Sequence, residues 1–233
     1  MAGLHCEIVH KQEVKSVNNK LTEEKVGRAE ALVDQGEALI LTCPENIRYL
    51  CGFEYTDGYA IIMHDRSVVF ADSRYIEAAR AKIAQPLETV LLDRGLGTAE
   101  PILRDGKVKR LFYEDIYMTC AELERWKKQY PDCTFEPIRG SFDALREVKT
   151  PDEVALIESA QRIAERAFDH ILEFISPERT ETDVALELDF FMRRSGADGI
   201  AFQTIAVSGS ASSLPHGVPR NIPLEHGFLT MDY

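Results

Sequence analysis

The sequence predicts a mixed α/β fold in two successive parts. Up to residue 143, short apolar runs with strand character alternate with helical patterns, and two of these runs flank a turn that fits a β-hairpin. From residue 144 the pattern changes to long helices, which are followed by apolar segments near Tyr233. We therefore expect two domains, at residues 1–143 and 144–233, of which the first contains a mixed sheet.

The first part begins with residues 1 to about 20, which show little periodicity and are expected to form an extension. Thr22 is predicted to cap a helix that ends at Gly36, and Asp72 to cap a helix that runs to Ile83. The predicted strands are Ala38–Thr42, Gly58–Met63, Val68–Ala71, Thr89–Leu92, Arg110–Tyr113 and Thr134–Pro137. Further helices are expected near Ala99–Arg104 and Thr119–Gln129.

The second part opens with a strong helix signal. Thr150 offers an N-cap hydroxyl, Pro151 suits the first helical position, and Glu153 completes a capping box. Apolar residues then recur at three- and four-residue spacing, which predicts one long amphipathic helix with a buried face. That face comprises Val154, Ile157, Ala160, Ile163, Ala164, Ala167, Phe168, Ile171, Leu172 and Ile175. A second helix is predicted to begin at Thr180 and to run through Ser195.

Composition narrows the class of protein. Of 233 residues 45% are hydrophobic and 28% charged, as in a globular protein, and the net charge is −12. Without a basic block, this charge disfavours nucleic acid as a partner. No apolar run is long enough to cross a membrane and no signal peptide precedes the first part, so the expected location is the cytoplasm, with no membrane partner. The five cysteines form no Cys-x-x-Cys pair, which favours free thiols.

Two residues near Tyr233 are candidates for chemistry. Asp232 lies in an apolar run, where a buried carboxylate is costly unless a metal, a cation or hydrogen bonds compensate its charge. His216 follows a loop of small residues and can donate a hydrogen bond or move a proton near neutral pH. The residues alone leave two alternatives open, namely a strand-end aspartate and a loop histidine exposed to water. His226, in a turn, is expected to be solvated.

Several segments together resemble the creatinase, prolidase and aminopeptidase P family, whose catalytic domain has the pita-bread fold. The matching segments are residues 145–153, 177–181, 202–209 and 215–217 and the strand that ends at Asp232. Residues 22–143 are similar, more loosely, to the amino-terminal domain of that family. The resemblance implies a creatinase-like mixed-sheet domain followed by the first half of a pita-bread domain, so we expect a chain truncated within the catalytic domain.

The resemblance implies an Xaa-Pro aminopeptidase or Xaa-Pro dipeptidase, which hydrolyses the bond before proline in short peptides. It implies two divalent metal ions, manganese, cobalt or zinc, in the full-length protein. By this resemblance, His216 corresponds to the catalytic histidine of the family, and Asp232 corresponds to its first metal-binding aspartate. The remaining ligands of the family pattern lie beyond Tyr233, so this chain alone is expected to be inactive. A homodimer and proline-containing peptide substrates are implied as well.

The family leaves two other functions open. Creatinase-like members hydrolyse a C–N bond without metal, although Asp232 argues mildly against that reaction, and other members bind proteins without catalysis. Residues 43–53 resemble a family segment, Asn-Ile-x-Tyr-Leu-x-Gly-Phe, that faces the active-site cleft, but a local packing turn explains these residues equally well. The chain departs from the pattern at Pro177, which lacks a following glycine, and at Phe228, where an acidic residue is common.

Overall fold

A computed structural model describes residues 21–233 of the chain. These residues belong to two compact units, which divide between Val148 and Lys149. The domain boundary after residue 143 stays a prediction. The extension expected over residues 1 to about 20 lies outside the described residues.

The first unit contains a six-stranded mixed sheet. Its strands are β1 (Glu37–Leu41), β2 (Gly58–Met63), β3 (Arg66–Ala71), β4 (Glu88–Leu91), β5 (Arg110–Tyr113) and β6 (Thr134–Pro137), in the spatial order β4-β3-β2-β1-β5-β6. β2 pairs antiparallel with β1 and β3, whereas the pairs β3–β4, β1–β5 and β5–β6 are parallel. The predicted hairpin is confirmed, and its turn consists of His64 and Asp65.

Helices connect these strands, as parallel pairing requires. Residues 21–30 are helical (α1), and α2 (Pro44–Cys51), α3 (Ile76–Lys82), α4 (Glu100–Asp105), α5 (Cys120–Gln129) and α6 (Ser141–Ala144) follow. Two predicted caps are wrong. Thr22 is itself helical, and the Asp72 carboxylate accepts the Arg74 N–H in a local turn, so that α3 starts only at Ile76.

Both faces of the six-stranded sheet are buried. Leu39 and Leu41 of β1 belong to one hydrophobic cluster, whereas Ala38 and Ile40 belong to another, and all four have 0% exposure. Side chains alternate between the faces of a strand, and helices contribute to both clusters. This double burial explains why β1 is a continuous apolar run, and the predicted α/β fold class is confirmed.

The second unit pairs two helices with a two-stranded sheet. Its elements are α7 (Pro151–Phe174), α8 (Glu181–Arg194), β7 (Ile205–Ser208) and β8 (Leu229–Asp232), with a 3-10 turn at Gly209–Ser213 after β7. Thr150 caps α7 and Thr180 caps α8, each in a complete capping box. Both predicted helix starts are therefore confirmed.

The predicted burial of one whole face of α7 is wrong. Ala167 and Ile171 are buried, in a small core with Val184 and Leu188 of α8. Elsewhere on that face, Val154, Ile157, Phe168 and Leu172 are between 43% and 56% exposed. Within the second unit, α8 and the two strands are too small a surface to cover a helix of 24 residues.

No helix of residues 21–233 has both the length and the apolar character that a membrane span needs. The four described cysteines, Cys43, Cys51, Cys120 and Cys133, are free thiols.

Candidate active site

Asp232 ends β8, which pairs antiparallel with β7. Asp232 lies opposite Ile205, and Met231 lies opposite Ala206. Met231 is half-buried against the core of the second unit, whereas Asp232 is exposed. Successive side chains of a strand point to opposite faces, so apolar neighbours in the sequence do not bury this carboxylate. The expected burial of Asp232 is therefore wrong, while its role as a metal ligand stays a prediction.

His216 lies in the loop between β7 and β8. The adjacent Gly217 is buried against Val207, where an added Cβ would lie 2.7 Å from a methyl carbon of that side chain. Glycine lets the backbone approach the strand this closely. The side chain of His216 is exposed, and within residues 21–233 its ring makes no hydrogen bond. The position of the ring thus depends on its backbone.

His216 and Asp232 line one cleft of about 430 Å³. The lining residues are Phe202, Gln203, Thr204, Ile205, His216, Gly217, Val218, Pro219 and Asp232. The hydroxyl of Thr204 donates a hydrogen bond to Asp189 of α8, which holds the inner wall. Apolar walls with a few polar groups suit a small organic ligand or a short peptide.

Asp232 also lines a second cleft, of about 440 Å³, together with Glu165 and Asp169 of α7. Within residues 21–233, however, no group of three or more His, Cys, Asp or Glu side chains could hold a metal ion. A carboxylate is a suitable donor for divalent manganese, cobalt or zinc. The described residues therefore include a carboxylate of suitable chemistry at Asp232 but no complete metal site.

The loop that carries His216 is tied to a buried carboxylate that the sequence analysis missed. Glu181, the first residue of α8, has 0% exposure. Its Oε1 accepts hydrogen bonds from the Ser208 N–H and hydroxyl at 2.7 and 2.8 Å. Its Oε2 accepts from the N–H and Nε of Arg220 at 2.9 and 2.8 Å, and Nη2 of Arg220 lies 2.6 Å from Oε1. One side chain thus joins α8, β7 and the loop.

Arg220 keeps Glu181 ionised. Burial by itself raises the pKa of this carboxyl group, but the hydrogen bonds from Arg220 and Ser208 outweigh burial and lower the pKa to about 2. The sequence does not reveal that Glu181 and Arg220 form a pair, because 39 positions separate them and no motif links residues at that spacing. An acidic residue in the first turn of a helix is also ordinary, since it favours the helix dipole.

Residues 43–53 contain α2, which packs inside the first unit. The buried side chains of this segment include Asn46, Ile47, Leu50 and Phe53. The Asn46 amide donates to the buried Glu114 at 2.6 Å and to Asp143 at 3.1 Å. The expected packing of Ile47, Leu50 and Phe53 is confirmed, but the segment forms the helix α2 and not a turn, and its proximity to an active-site cleft stays a prediction.

Two family models match the chain in succession. Residues 25–148 match the creatinase/prolidase N-terminal domain, and residues 155–233 match metallopeptidase family M24. Among curated relatives, an uncharacterised peptidase of Bacillus subtilis is 34% identical over 201 residues, which are 84% of this chain and 56% of the relative. The Xaa-Pro dipeptidase of Pyrococcus furiosus is 26% identical over 196 residues, or 84% of this chain and 55% of that enzyme.

Solved structures give a similar result. The Xaa-Pro dipeptidase from Bacillus anthracis superposes with a TM-score of 0.82 at 33% identity, over 91% of this chain and 60% of that one. The X-Pro aminopeptidase from Thermotoga maritima superposes with a TM-score of 0.79 at 27% identity, over 88% and 60% of the two chains. The chain thus spans 55% to 60% of the length of these four proteins.

Proposed function

Because the chain belongs to the creatinase and prolidase family of metallopeptidases, we propose that the whole protein is an Xaa-Pro aminopeptidase or dipeptidase, which hydrolyses the bond before proline in short peptides. The observation that carries this proposal is the shared cleft, which has His216 and Asp232 on its walls. The names of the relatives support the substrate class.

We assign His216 as a catalytic residue. Its exposed ring can donate an N–H to a carbonyl oxygen that gains negative charge as the peptide bond is attacked. The apolar side chains of Phe202 and Val218 can contact the peptide beside that bond. A tertiary Xaa-Pro amide lacks an N–H, so its recognition depends on such contacts rather than on a backbone hydrogen bond.

We assign Asp232 as one ligand of a metal site that holds two divalent ions, manganese, cobalt or zinc, in the full-length protein. Such ions supply Lewis acidity and an activated water molecule when bound. The exposure of Asp232 at the end of β8 leaves its carboxylate oxygens accessible to an ion. The proposed homodimer is a separate prediction, for which sedimentation of the full-length protein is the direct measurement.

The test compares three substitutions in the full-length protein, with metal analysis beside kinetics on Xaa-Pro peptides. We expect His216→Ala to keep its metal and to lose about two orders of magnitude in kcat, the scale of one oxyanion donor. Asp232→Ala should lose metal and activity together. His226→Ala, also an exposed loop histidine, is the matched control and should change neither quantity.

Four results would contradict these assignments. A normal kcat in His216→Ala removes this histidine from the site. Full metal occupancy in Asp232→Ala does the same for the aspartate. If the wild type still hydrolyses a C–N bond after a chelator has removed its metal ions, a creatinase-like reaction is favoured. If the wild type hydrolyses no substrate at all, a binding protein is favoured.

A further inference from the structure

We propose that Glu181 is a positioning residue that holds His216 in the cleft, acting through Arg220 and Ser208. The inference rests on the proposed function, because it takes His216 as part of the site. Glu181 itself does not line the cleft, so it acts on His216 only through the loop that it binds.

The backbone of His216 is anchored close by on its C-terminal side. One residue later, Gly217 lies against Val207 of β7. Four residues later, Arg220 donates three hydrogen bonds to the Glu181 carboxylate. Since the ring of His216 has no hydrogen bond within residues 21–233, its position depends on the backbone that these two anchors restrain.

The hydrogen bonds among Glu181, Ser208 and Arg220, called here the Glu181 clamp, continue along the loop beyond Arg220. The N–H groups of Glu181 and Thr182 donate to the carbonyls of Ile222 and Arg220, each at 3.2 Å. The Leu224 N–H donates to the Arg179 carbonyl at 2.9 Å. Residues 220–224 are therefore held along the start of α8 by both backbone and side-chain hydrogen bonds.

Ser208 links this clamp to the strand that also positions Asp232. Its N–H and hydroxyl both donate to Glu181, and its hydroxyl accepts from the Glu225 N–H at 2.9 Å. Ser208 ends β7, and Ile205 of the same strand pairs with Asp232. The positions of His216 and Asp232 are thus both set relative to β7, the histidine through Glu181 and the aspartate through strand pairing.

The first experiment measures hydrogen–deuterium exchange in the 233-residue chain. In Glu181→Gln the new amide NH₂ meets the N–H donors of its partners, so we expect the exchange rates of amides in residues 214–222 to rise more than those of α8 and β8, while the first unit keeps its rates. The matched control is Asp183→Asn in the same turn of α8, where the carboxylate bonds Thr180 and not the loop. Unchanged exchange in the loop, or an equal rise throughout the second unit, would overturn the proposal.

A double substitution keeps the proposal testable if Glu181→Gln does not fold. Glu181→Gln with Arg220→Met removes both charges, and an ion pair replaced by uncharged groups is generally tolerated. If the pair only stabilises the fold, this variant should recover both stability and slow exchange of the loop. If the pair positions the loop, stability should recover while residues 214–222 still exchange fast. Recovery of both would contradict the proposal.

Kinetics on the full-length protein supply the functional result. We expect Glu181→Gln to lower kcat by about 100-fold through misplacement of His216, with metal content and KM unchanged and with Asp183→Asn as active as the wild type. If the wild type hydrolyses no Xaa-Pro peptide, the proposed function fails and the exchange experiment still decides the role of Glu181. If His216→Ala loses activity while Glu181→Gln keeps both its activity and its loop protection, only the positioning role fails.

Discussion

Glu114 in the first unit and Glu181 in the second are two buried carboxylates with different partners. Glu114 is 3% exposed and accepts hydrogen bonds from the N–H groups of Thr42 and Cys43 at 2.5 and 2.8 Å, and from the amide of Asn46 at 2.6 Å. Within residues 21–233 no cationic side chain donates to it. Glu181 is as deeply buried, and a guanidinium group donates to both of its oxygens.

The pKa values of the two groups move in opposite directions. Burial raises the pKa of Glu114, and hydrogen bonds from neutral donors do not offset that effect, while the charge of Asp143 adds to it. Burial acts on Glu181 in the same way, yet hydrogen bonds that include those of Arg220 lower its pKa to about 2. At Glu114 neutral donors thus satisfy the carboxylate oxygens without offsetting burial, whereas at Glu181 the added charge of Arg220 does offset it.

The largest expected effect is that of Glu181→Gln on stability. Glu181 is buried but Arg220 is 39% exposed, so loss of the charged hydrogen bonds between them costs about 1.5–3 kcal/mol of unfolding free energy. We expect urea unfolding, followed by amide NMR signals of α8, to shift by this amount. Fluorescence of Trp126, the single tryptophan, reports the first unit and should not change. Equal shifts of both signals would mean that the pair stabilises more than its own unit.

The pH dependence of stability should differ in sign between the two carboxylates. The folded pKa of Glu114 is raised above its ordinary value of 4.5, so its unit gains stability as pH falls through the folded pKa toward 4.5. The folded pKa of Glu181 is lowered, so its contribution is complete above 4.5 and is lost as pH falls toward about 2. Each slope is at most about 1.4 kcal/mol per pH unit for one proton.

The measurement is urea unfolding at several pH values, with Trp126 fluorescence for the first unit and α8 signals for the second. Each contribution is the difference between wild type and the corresponding Glu→Gln variant. The two differences should change with pH in opposite directions, and slopes of the same sign for Glu114 and Glu181 would contradict the comparison.

The smallest expected effect is that of Glu114→Gln. The N–H donors of Thr42, Cys43 and Asn46 share two carboxylate oxygens, whereas glutamine offers them only one, so a hydrogen bond is lost. In return, the cost of burying the negative charge of Glu114 disappears. We expect a net loss of about 1 kcal/mol in the unfolding of the first unit, measured by Trp126 fluorescence. The exposed Glu124→Gln serves as the control and should stay within about 0.5 kcal/mol of the wild type. A loss as large as that of Glu181→Gln would make the charge of Glu114 as important as that of Glu181.

The sequence predicts local features of this fold well, because their signals lie within a few residues. The N-cap of α7 depends on Thr150 and Glu153, and that of α8 on Thr180 and Asp183, so both helix starts could be predicted. The apolar runs located all six strands of the first sheet to within two residues.

The features that were missed depend on contacts across the chain. Periodicity along α7 indicates an apolar face but does not reveal what covers it, and half of the residues on that face are exposed within its unit. Apolar neighbours of Asp232 predicted burial, although strand alternation places it on the exposed face. The partnership of Glu181 with Arg220 joins residues that only the folded loop brings together.

The pairing of β8 with β7 constrains which insertions and deletions the protein can tolerate. Adding or removing one residue within Leu229–Asp232 would exchange the two faces of the strand, and the carboxylate of Asp232 would then point toward the core. A change of two residues would preserve its face. We therefore expect length variation among homologous sequences to avoid odd-numbered changes in this strand and to accumulate where the backbone between β7 and β8 is free of the Gly217 and Arg220 anchors.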